Sequence, residues 1–415
     1  MNILMLTPRF PYPPDRGDTV RSWYELEYLA KRHDVWLASL NEREPERADL
    51  NKVRDICRDV VVLTRPPWRS LLAGGLSLLG GKSLIEGYFT DKRFLDLIRQ
   101  LARSIRFDAL LAFTTVMGAA SERVDARRVL DMCDVDSGKF ETYARRSRSP
   151  LRLIYSLEAL RLRAAERRQV SSHDATLVVN RRERQKLLAL MTPRRVEIVH
   201  TCVTPPPTSS PVPAAPVPAA PVVGCVGSMF YPPNVRAVNW FGCRVWPQVK
   251  KRLPAARWLI VGARPTRSVR RWSRLPGVEV TGYVRDTRPY LDSIRVFINP
   301  VDGDIGVQSK LLGAMAAGKP AVVTPDTAAG IDYQQPPPFL IADSPQAFTD
   351  ATLSLLTDDD LAADISVRAL RTVEERYLPH TQLWRVEQAL QAESPAPASV
   401  RRDAIMAEEE VAALP

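Results

Sequence analysis

The residues best placed to do chemistry lie in the segment 278–324, where two glycines flank a short helical pattern. Gly306 precedes that pattern, Ser309 stands where a hydroxyl could cap a helix, and Gly318 ends it. The free N–H groups at a helix N-terminus bind anions, and a glycine lets a phosphate approach the backbone. The pattern therefore predicts a diphosphate site, although an ordinary strand–helix–strand crossover with normal capping explains the same residues.

Carboxylates form a second candidate for chemistry, in two Asp-x-Asp triplets. Asp134 and Asp136 form one, and Asp302 and Asp304 form the other. Paired carboxylates can hold Mg²⁺ or Mn²⁺ on a nucleotide, but such triplets are frequent by chance and loop carboxylates or helix caps are the favoured interpretation. Five widely spaced cysteines without a CxxC pair, and only four histidines, form no zinc pattern, so we expect no metal site and a reducing compartment.

Two familiar nucleotide motifs are absent. The run from Gly80 to Ser83 suggests a nucleoside-triphosphate loop, but Leu76 stands where that motif needs its first glycine and no strand precedes it. No GxGxxG follows a predicted strand, which argues against a dinucleotide-dependent oxidoreductase.

Charge points to a phosphate-bearing partner. The 415 residues carry 58 lysines and arginines against 47 acidic residues, a net charge of +11. Nucleic acid, anionic lipid and sugar nucleotides would all complement that charge. The arginine clusters lack interleaved aromatic residues or a docking motif, so we expect no nucleic-acid partner.

Short apolar runs alternate with helical patterns along the whole chain. This alternation predicts an α/β protein with two doubly wound, Rossmann-like domains. The strand candidates are Ile3–Leu6, Val35–Leu40, Asp59–Leu63, Ala109–Phe113, Arg128–Asp131, Thr176–Asn180, Val222–Val226, Trp258–Val261, Val278–Thr281, Val296–Asn299 and Ala321–Thr324.

A proline-rich segment marks the domain boundary. Residues 204–221 read as an extended linker, which assigns 1–203 to the first domain and 222–392 to the second. Residues 393–415 are expected to form a disordered tail. Two such domains would face each other across a cleft lined by the carboxyl ends of their strands, where open α/β sheets bind ligands.

One apolar segment is a candidate membrane contact. Trp68, Leu71 and Leu72 lie beside Arg65 and Arg69, a composition that suits an anionic bilayer surface or a lipid-linked acceptor. A loop and helix packed on the domain is the equally weighted alternative. No apolar run approaches the about 18 residues of a spanning helix, so we expect a cytoplasmic protein that meets a membrane only at its inner surface.

Five motifs occur in order along the chain: the loop from Leu6 to Asp18, Asp131–Ser137 with Lys139, Gly227–Val235, Thr281–Tyr290, and Gln308 through Gly318. Together they resemble the family-four retaining glycosyltransferases of the GT-B fold, and most closely the sugar transferases of exopolysaccharide loci with PEP-CTERM/exosortase systems. They are spread over roughly residues 1–390, with the first domain on the acceptor side and the second on the nucleotide-sugar side.

This resemblance implies transfer of a sugar from a nucleotide-sugar donor to a lipid-linked or glycan acceptor, without a required cofactor. The implied catalytic residues are Asp134, Asp136 and Lys310. The implied donor-binding residues are Gly17, Gly227, Ser228, Arg236, Arg264, Val284, Gly306, Gln308 and Gly313, of which Val284 would contact the base through its backbone.

The chain departs from the family at two positions. Family members carry two glutamates eight residues apart around this helix, one near the donor sugar and one on the ribose, where this chain has Ile305 and Gly313. Loss of the ribose carboxylate removes a charge-assisted hydrogen bond of roughly 1.5–3 kcal/mol. A catalytically impaired relative that binds a sugar nucleotide or serves as an assembly component is therefore the alternative.

Overall fold

The structure is a computed structural model that describes residues 1–391 except 15, 79, 205–220 and 304–305. Most of the predicted linker, the predicted tail and Ile305 therefore lie outside the described residues.

The first domain is built on a parallel sheet, seven-stranded within the described residues, in the order β3-β2-β1-β4-β5-β6-β7. The central strands are apolar on both faces and fully buried, as a sheet covered by helices on both sides requires. The strands are β1 (Asn2–Thr7), β2 (Asp34–Asn41), β3 (Asp59–Thr64), β4 (Ala109–Phe113), β5 (Arg127–Cys133), β6 (Ala175–Val178) and β7 (Val196–Ile198).

Helices cover both faces of that sheet, and the apolar residues between helices and sheet form one core cluster on each face. They are α1 (Gly17–Ala30), α2 (Arg47–Arg54), α3 (Pro67–Ser77), α4 (Leu84–Phe89), α5 (Lys92–Ser104), α6 (Gly118–Ser121), α7 (Asp136–Arg146), α8 (Leu151–Ser172) and α9 (Arg181–Leu190), with a 3₁₀ turn at Thr115–Met117.

The second domain repeats the design with a parallel sheet in the order β10-β9-β8-β11-β12-β13 among the described residues. Its strands are β8 (Val222–Val226), β9 (Arg257–Val261), β10 (Val278–Val280), β11 (Val296–Asn299), β12 (Ala321–Val323) and β13 (Leu340–Ile341). Its helices are α10 (Pro232–Arg244), α11 (Trp246–Arg252), α12 (Arg267–Arg270), α13 (Arg288–Ser293), α14 (Ser309–Ala316), α15 (Pro325–Ala328), α16 (Pro345–Thr357) and α17 (Asp359–Arg376), with a 3₁₀ turn at Arg271–Arg274.

The predicted fold class is confirmed, and each of the eleven predicted strands is present. Sequence patterns missed β7 and β13, which span 3 and 2 residues and are too short to show a period. The helix after Gly306 also begins differently from the expectation: Gln308 takes the N-cap position without a side-chain cap, and Ser309 is the first helical residue.

The last helix, α18 (Pro379–Gln391), packs on the first domain although it lies in the range 222–392 predicted for the second. Leu383, Val386 and Leu390 join the core on one face of the first sheet, and the Arg127 Nε donates to the Ala389 carbonyl at 2.7 Å. These apolar contacts fasten the end of the second domain to the first.

Each sheet has one point at which the chain reverses its direction of strand addition. In the first domain this switch lies between β1 and β4, and in the second between β8 and β11. The crevice above such a switch, at the carboxyl ends of the strands, is where doubly wound sheets bind ligands. The loops that follow β1, β5, β8 and β11, together with the helices that they lead into, carry most of the predicted site residues.

Candidate functional site

The two domains meet where α1 and α14 begin. A methyl group added at Gly17, the first residue of α1, would lie 3.3 Å from the Ser309 Oγ at the start of α14. Two helix N-termini from different domains therefore converge on one part of the cleft. Their free N–H groups and positive dipole ends make that region favourable for an anion.

Gly306 touches the opposite domain. A methyl group at this position would stand 2.3 Å from the Asp134 Oδ2, so a side chain there would collide with the carboxylate unless one of them moved. Only a glycine accommodates this approach between the loop before α14 and the loop after β5. The sequence predicted a glycine for contact with phosphate, whereas in this structure the nearest group is Asp134.

Lys139 forms ion pairs with both carboxylates of the first triplet, Asp134 and Asp136. The Lys139 Nζ donates to the Asp134 Oδ2 at 2.8 Å and to the Asp136 Oδ1 at 2.9 Å. Burial alone would lower the pKa of Lys139. The attraction of the two carboxylates outweighs this effect and holds the pKa well above its ordinary value. The arrangement is a compensated ion triplet, and the described residues contain no cluster of three or more His, Cys, Asp or Glu able to hold a metal ion.

Lys310 lies in the crevice between β8 and β11. Its Nζ donates to the Asn234 Oδ1, and the Asn234 Nδ2 donates to the Ser228 carbonyl at 3.1 Å. Burial lowers the pKa of Lys310 to about 8. The Lys310 ammonium is half-buried, and its printed hydrogen bond is to a neutral amide, so a bound anion would stabilise its charge.

Gly227 gives this crevice its narrow floor. A methyl group at Gly227 would lie 2.9 Å from the Asn234 Nδ2, and one at Gly262 would lie 1.7 Å from the Gly227 carbonyl oxygen. The two glycines allow the loops after β8 and β9 to pack backbone against backbone. The loop that carries Ser228 is thereby held at the edge of the cleft, where Ser228 is exposed.

The remaining predicted donor residues occupy different surroundings. Arg236 is exposed on α10, and Arg264 is exposed after β9 with its guanidinium 5.4 Å from the Phe230 ring centroid. Val284 is half-buried against the second-domain core, and Gln308 is buried.

A methyl group at Gly313 would meet nothing within 4 Å, so this face of α14 is open. Of the predicted cations, only Lys310 lies in the crevice with Gly227.

Backbone strain marks the carboxyl ends of three strands. Thr114 after β4, Cys133 at the end of β5 and Arg264 after β9 have φ values of 67°, 60° and 52°. Among non-glycine residues such conformations cost about 1–3 kcal/mol and concentrate at functional sites. The oxygens Thr114 Oγ1 and Asp134 Oδ1 are buried in the same region without a hydrogen-bond partner among the described residues, as befits a surface that receives a polar ligand.

The sequence analysis missed the residues that join the domains beside this site. The Asn180 Nδ2 donates to the Gly330 carbonyl at 3.0 Å, and His200 Nε2 lies 2.9 Å from the Asp332 Oδ2. Asn180 also caps α9 by accepting from the Glu183 N–H. The pattern Asn-x-x-Glu directly after a strand is a capping signature that could have identified this helix start.

The predicted membrane contact is exposed. The exposed fractions of Trp68, Leu71 and Leu72 on α3 are 61%, 65% and 58%. Arg65, by contrast, is buried and donates to the backbone carbonyls of Tyr88 and Thr90. No helix within the described ranges is long and apolar enough to cross a bilayer.

Comparison with known proteins supports a glycosyltransferase architecture. Residues 220–358 match the family described as glycosyl transferases group 1. No curated protein sequence matches the chain.

Solved structures similar to the whole chain share its fold at low sequence identity. Anabaena Alr3699/HepE, crystallised with UDP and glucose, is 13% identical with a TM-score of 0.64, covering 94% of this chain and 99% of that one. TarM is 9% identical with a TM-score of 0.66 at the same coverages. WaaG, a glycosyltransferase involved in lipopolysaccharide biosynthesis, is 14% identical with a TM-score of 0.64, covering 95% of this chain and 100% of WaaG. The chain thus has the GT-B fold.

Proposed function

We propose that this protein is a glycosyltransferase that moves a sugar from a nucleotide-sugar donor to a glycan or lipid-linked acceptor. The observation that carries this proposal is the convergence of Gly17, the start of α14 and the half-buried Lys310 at the two switch points of facing sheets. The match of residues 220–358 to the glycosyl transferases group 1 family and the UDP-glucose complex of the similar Anabaena protein make a UDP-sugar the first donor to test.

In this proposal the second domain stabilises the leaving diphosphate. The N–H groups at the start of α14 and the Lys310 ammonium would bind the developing negative charge, which is the main task of an enzyme in such a transfer. Retention of configuration follows from the family resemblance and needs no carboxylate nucleophile. Asp134 and Asp136 would act by positioning: paired with Lys139, they hold the first-domain loop against Gly306.

The alternative is a catalytically impaired relative that binds the donor without turning it over. Gly313 favours this alternative, because its open face of α14 has no carboxylate for the ribose hydroxyls. Ile305, the other position where a glutamate is expected, lies outside the described residues.

Calorimetry and turnover separate the two. We expect a UDP-sugar to bind the full-length chain in an isothermal titration against a panel of nucleotide sugars, and to be consumed when a glycan acceptor is present. Binding without consumption would select the impaired relative. Absence of binding by every nucleotide sugar would contradict both.

We also propose that α3 rests on the inner face of the cytoplasmic membrane, which suits a lipid-linked acceptor in exopolysaccharide biosynthesis. Trp68, Leu71 and Leu72 expose apolar area on one helix, and the neighbouring Arg69 lies with its guanidinium 5.1 Å from the Trp68 ring centroid. A basic residue near an anionic surface contributes about 1 kcal/mol.

Liposome flotation tests this attachment. The double variant Trp68→Glu with Leu72→Glu should leave the floating fraction of vesicles that contain anionic lipid, while Val367→Glu, at a position 55% exposed on α17, should not. Equal flotation of the double variant and the wild type, with both folded, would show that α3 does not contact the bilayer.

A further inference from the structure

A second concave site lies between the domains, beside the proposed donor crevice. A cavity of about 890 Å³ separates the α7–α8 hairpin of the first domain from α10 and the ends of β11, β12 and β13 in the second. Its volume falls in the roughly 300–1,000 Å³ range of pockets that enclose a small ligand. Of the residues predicted to bind the donor, only Arg236 lines it.

Aromatic rings form much of the cavity wall. Tyr143 and Tyr155 lie with ring centroids 5.8 Å apart on the first-domain side, and Tyr231 and Trp240 face them from the second domain. Burial raises the pKa of Tyr231 to about 12, and the neighbouring Tyr143 across the domain boundary adds to the rise. Tyrosine and tryptophan combine an apolar face with a polar edge. A sugar ring likewise has apolar faces and polar hydroxyl groups, so the side chains and the ring are complementary.

The charges on the wall argue against an anionic ligand. Asp302, Asp326 and Asp343 outnumber Arg146 and Arg236, and the Arg146 guanidinium is already paired with the Asp302 carboxylate at 3.2 Å. A phosphate or nucleotide would meet net negative charge here, whereas carboxylates accept hydrogen bonds from uncharged hydroxyl groups.

The cavity adjoins the crevice that holds Lys310. Ala237 and Pro300 line both the large cavity and the small crevice around Asn234 and Lys310. A molecule in the cavity would therefore lie next to the site where the donor diphosphate is proposed to bind, as a second substrate must.

We propose that this cavity, walled by Tyr143, Tyr155, Tyr231 and Trp240 with Asp326 and Asp343, binds the uncharged oligosaccharide end of the acceptor. This assignment rests on the proposed glycosyltransferase function and adds the substrate class and the location of its second substrate. The pyranose rings stack on the tyrosines, and their hydroxyls donate to the aspartates.

The test measures trisaccharide binding to the full-length protein saturated with UDP. Maltotriose, cellotriose and chitotriose serve as probes, and saturation-transfer NMR with calorimetry gives the Kd. We expect at least one probe to bind. Its Kd should rise about tenfold in Tyr155→Ala and stay within about twofold in Tyr155→Phe, because the ring is retained there. Asp343→Ala, at an exposed position, should also weaken binding about fivefold.

UDP titrated alone into each variant separates this inference from the donor site. Unchanged UDP affinity together with lost trisaccharide affinity supports an acceptor cavity. Failure of all three trisaccharides to bind wild type, or weakened UDP affinity in Tyr155→Ala, overturns the assignment. Failure of UDP to bind wild type overturns the proposed donor site instead.

Discussion

The two walls of the cleft differ in how the charge of their lysine is compensated. On the first-domain wall Lys139 pairs with two carboxylates, which keep its pKa well above the ordinary value. On the second-domain wall Lys310 is half-buried beside the neutral amide of Asn234, and partial removal from solvent lowers its pKa to about 8. Among the described residues no carboxylate compensates Lys310.

The difference distinguishes a lysine that stabilises its own loop from a lysine that is available to a ligand. A compensated charge stabilises its own loop, whereas a buried and uncompensated charge gains free energy when an anion arrives. We therefore propose that the first wall positions the loops and that the second wall binds the donor diphosphate.

The largest effect is expected where the walls touch. Gly306→Val places a side chain where a methyl group would already stand 2.3 Å from the Asp134 Oδ2. Overpacking of this kind costs about 1–3 kcal/mol, so we expect UDP affinity to fall by up to about a hundredfold as the walls are forced apart. Calorimetric titration measures the loss.

Gly75→Val is the matched control, because a methyl group at Gly75 meets nothing within 4 Å. It should leave UDP affinity unchanged. Wild-type affinity in Gly306→Val would show that the contact with Asp134 does not shape the donor site.

Removing the uncompensated charge tests the second wall directly. Lys310→Met should weaken UDP binding by roughly ten- to a hundredfold, since charge-assisted hydrogen bonds contribute about 1.5–3 kcal/mol. Lys251→Met, at an exposed position on α11, serves as control. Equal UDP affinity of both variants would remove Lys310 from the site.

The pH dependence gives the same wall a second signature. Lys310 is protonated below its pKa of about 8 and neutral above it. Because the anion binds the protonated form, wild-type affinity for UDP should decline as the pH rises through 8 to 9, and the decline should be absent in Lys310→Met. A flat wild-type profile between pH 7 and 9 is incompatible with this assignment.

Removing the compensated charge should instead act on stability. Lys139→Met leaves Asp134 and Asp136 without their cation and should lower the free energy of unfolding by about 2 kcal/mol, measured by urea denaturation. Lys31→Met breaks the exposed pair with Glu27 and should cost less than about 0.5 kcal/mol. A loss of UDP affinity in Lys139→Met without destabilisation would contradict the division between the walls.

The smallest effect is a gain. Gly313→Glu restores a carboxylate on the open face of α14 and removes a glycine from a helix interior, which costs about 1 kcal/mol relative to alanine. We expect UDP affinity to rise by up to about tenfold and the melting temperature to stay equal or increase. Gly313→Gln keeps the shape without the charge and should gain less. Should both variants bind UDP equally, a charged ribose contact is absent.

The sequence by itself determined the sheet architecture and the approximate positions of eleven strands. Apolar runs such as Leu4–Leu6 and Val296–Asn299 must be buried on both faces, and their alternation with helices leaves a parallel doubly wound sheet as the solution. Gly306 was visible for a similar local reason, since it directly precedes a helix start, whereas Gly17 and Gly227 were implied by the family resemblance.

Tertiary structure alone decided which of those residues meet. Nothing in the local pattern relates Gly306 to Asp134, or Asn234 to Lys310, because the partners are far apart along the chain. Asn234 and Lys310 meet when the second sheet folds, and Gly306 and Asp134 meet when the two domains face each other. The same holds for α18. Its place in the sequence assigned it to the second domain, but Leu383 and Val386 pack in the core of the first. Local periodicity is a property of neighbouring residues, whereas compensation of charge and closure of a cleft depend on contacts across the fold.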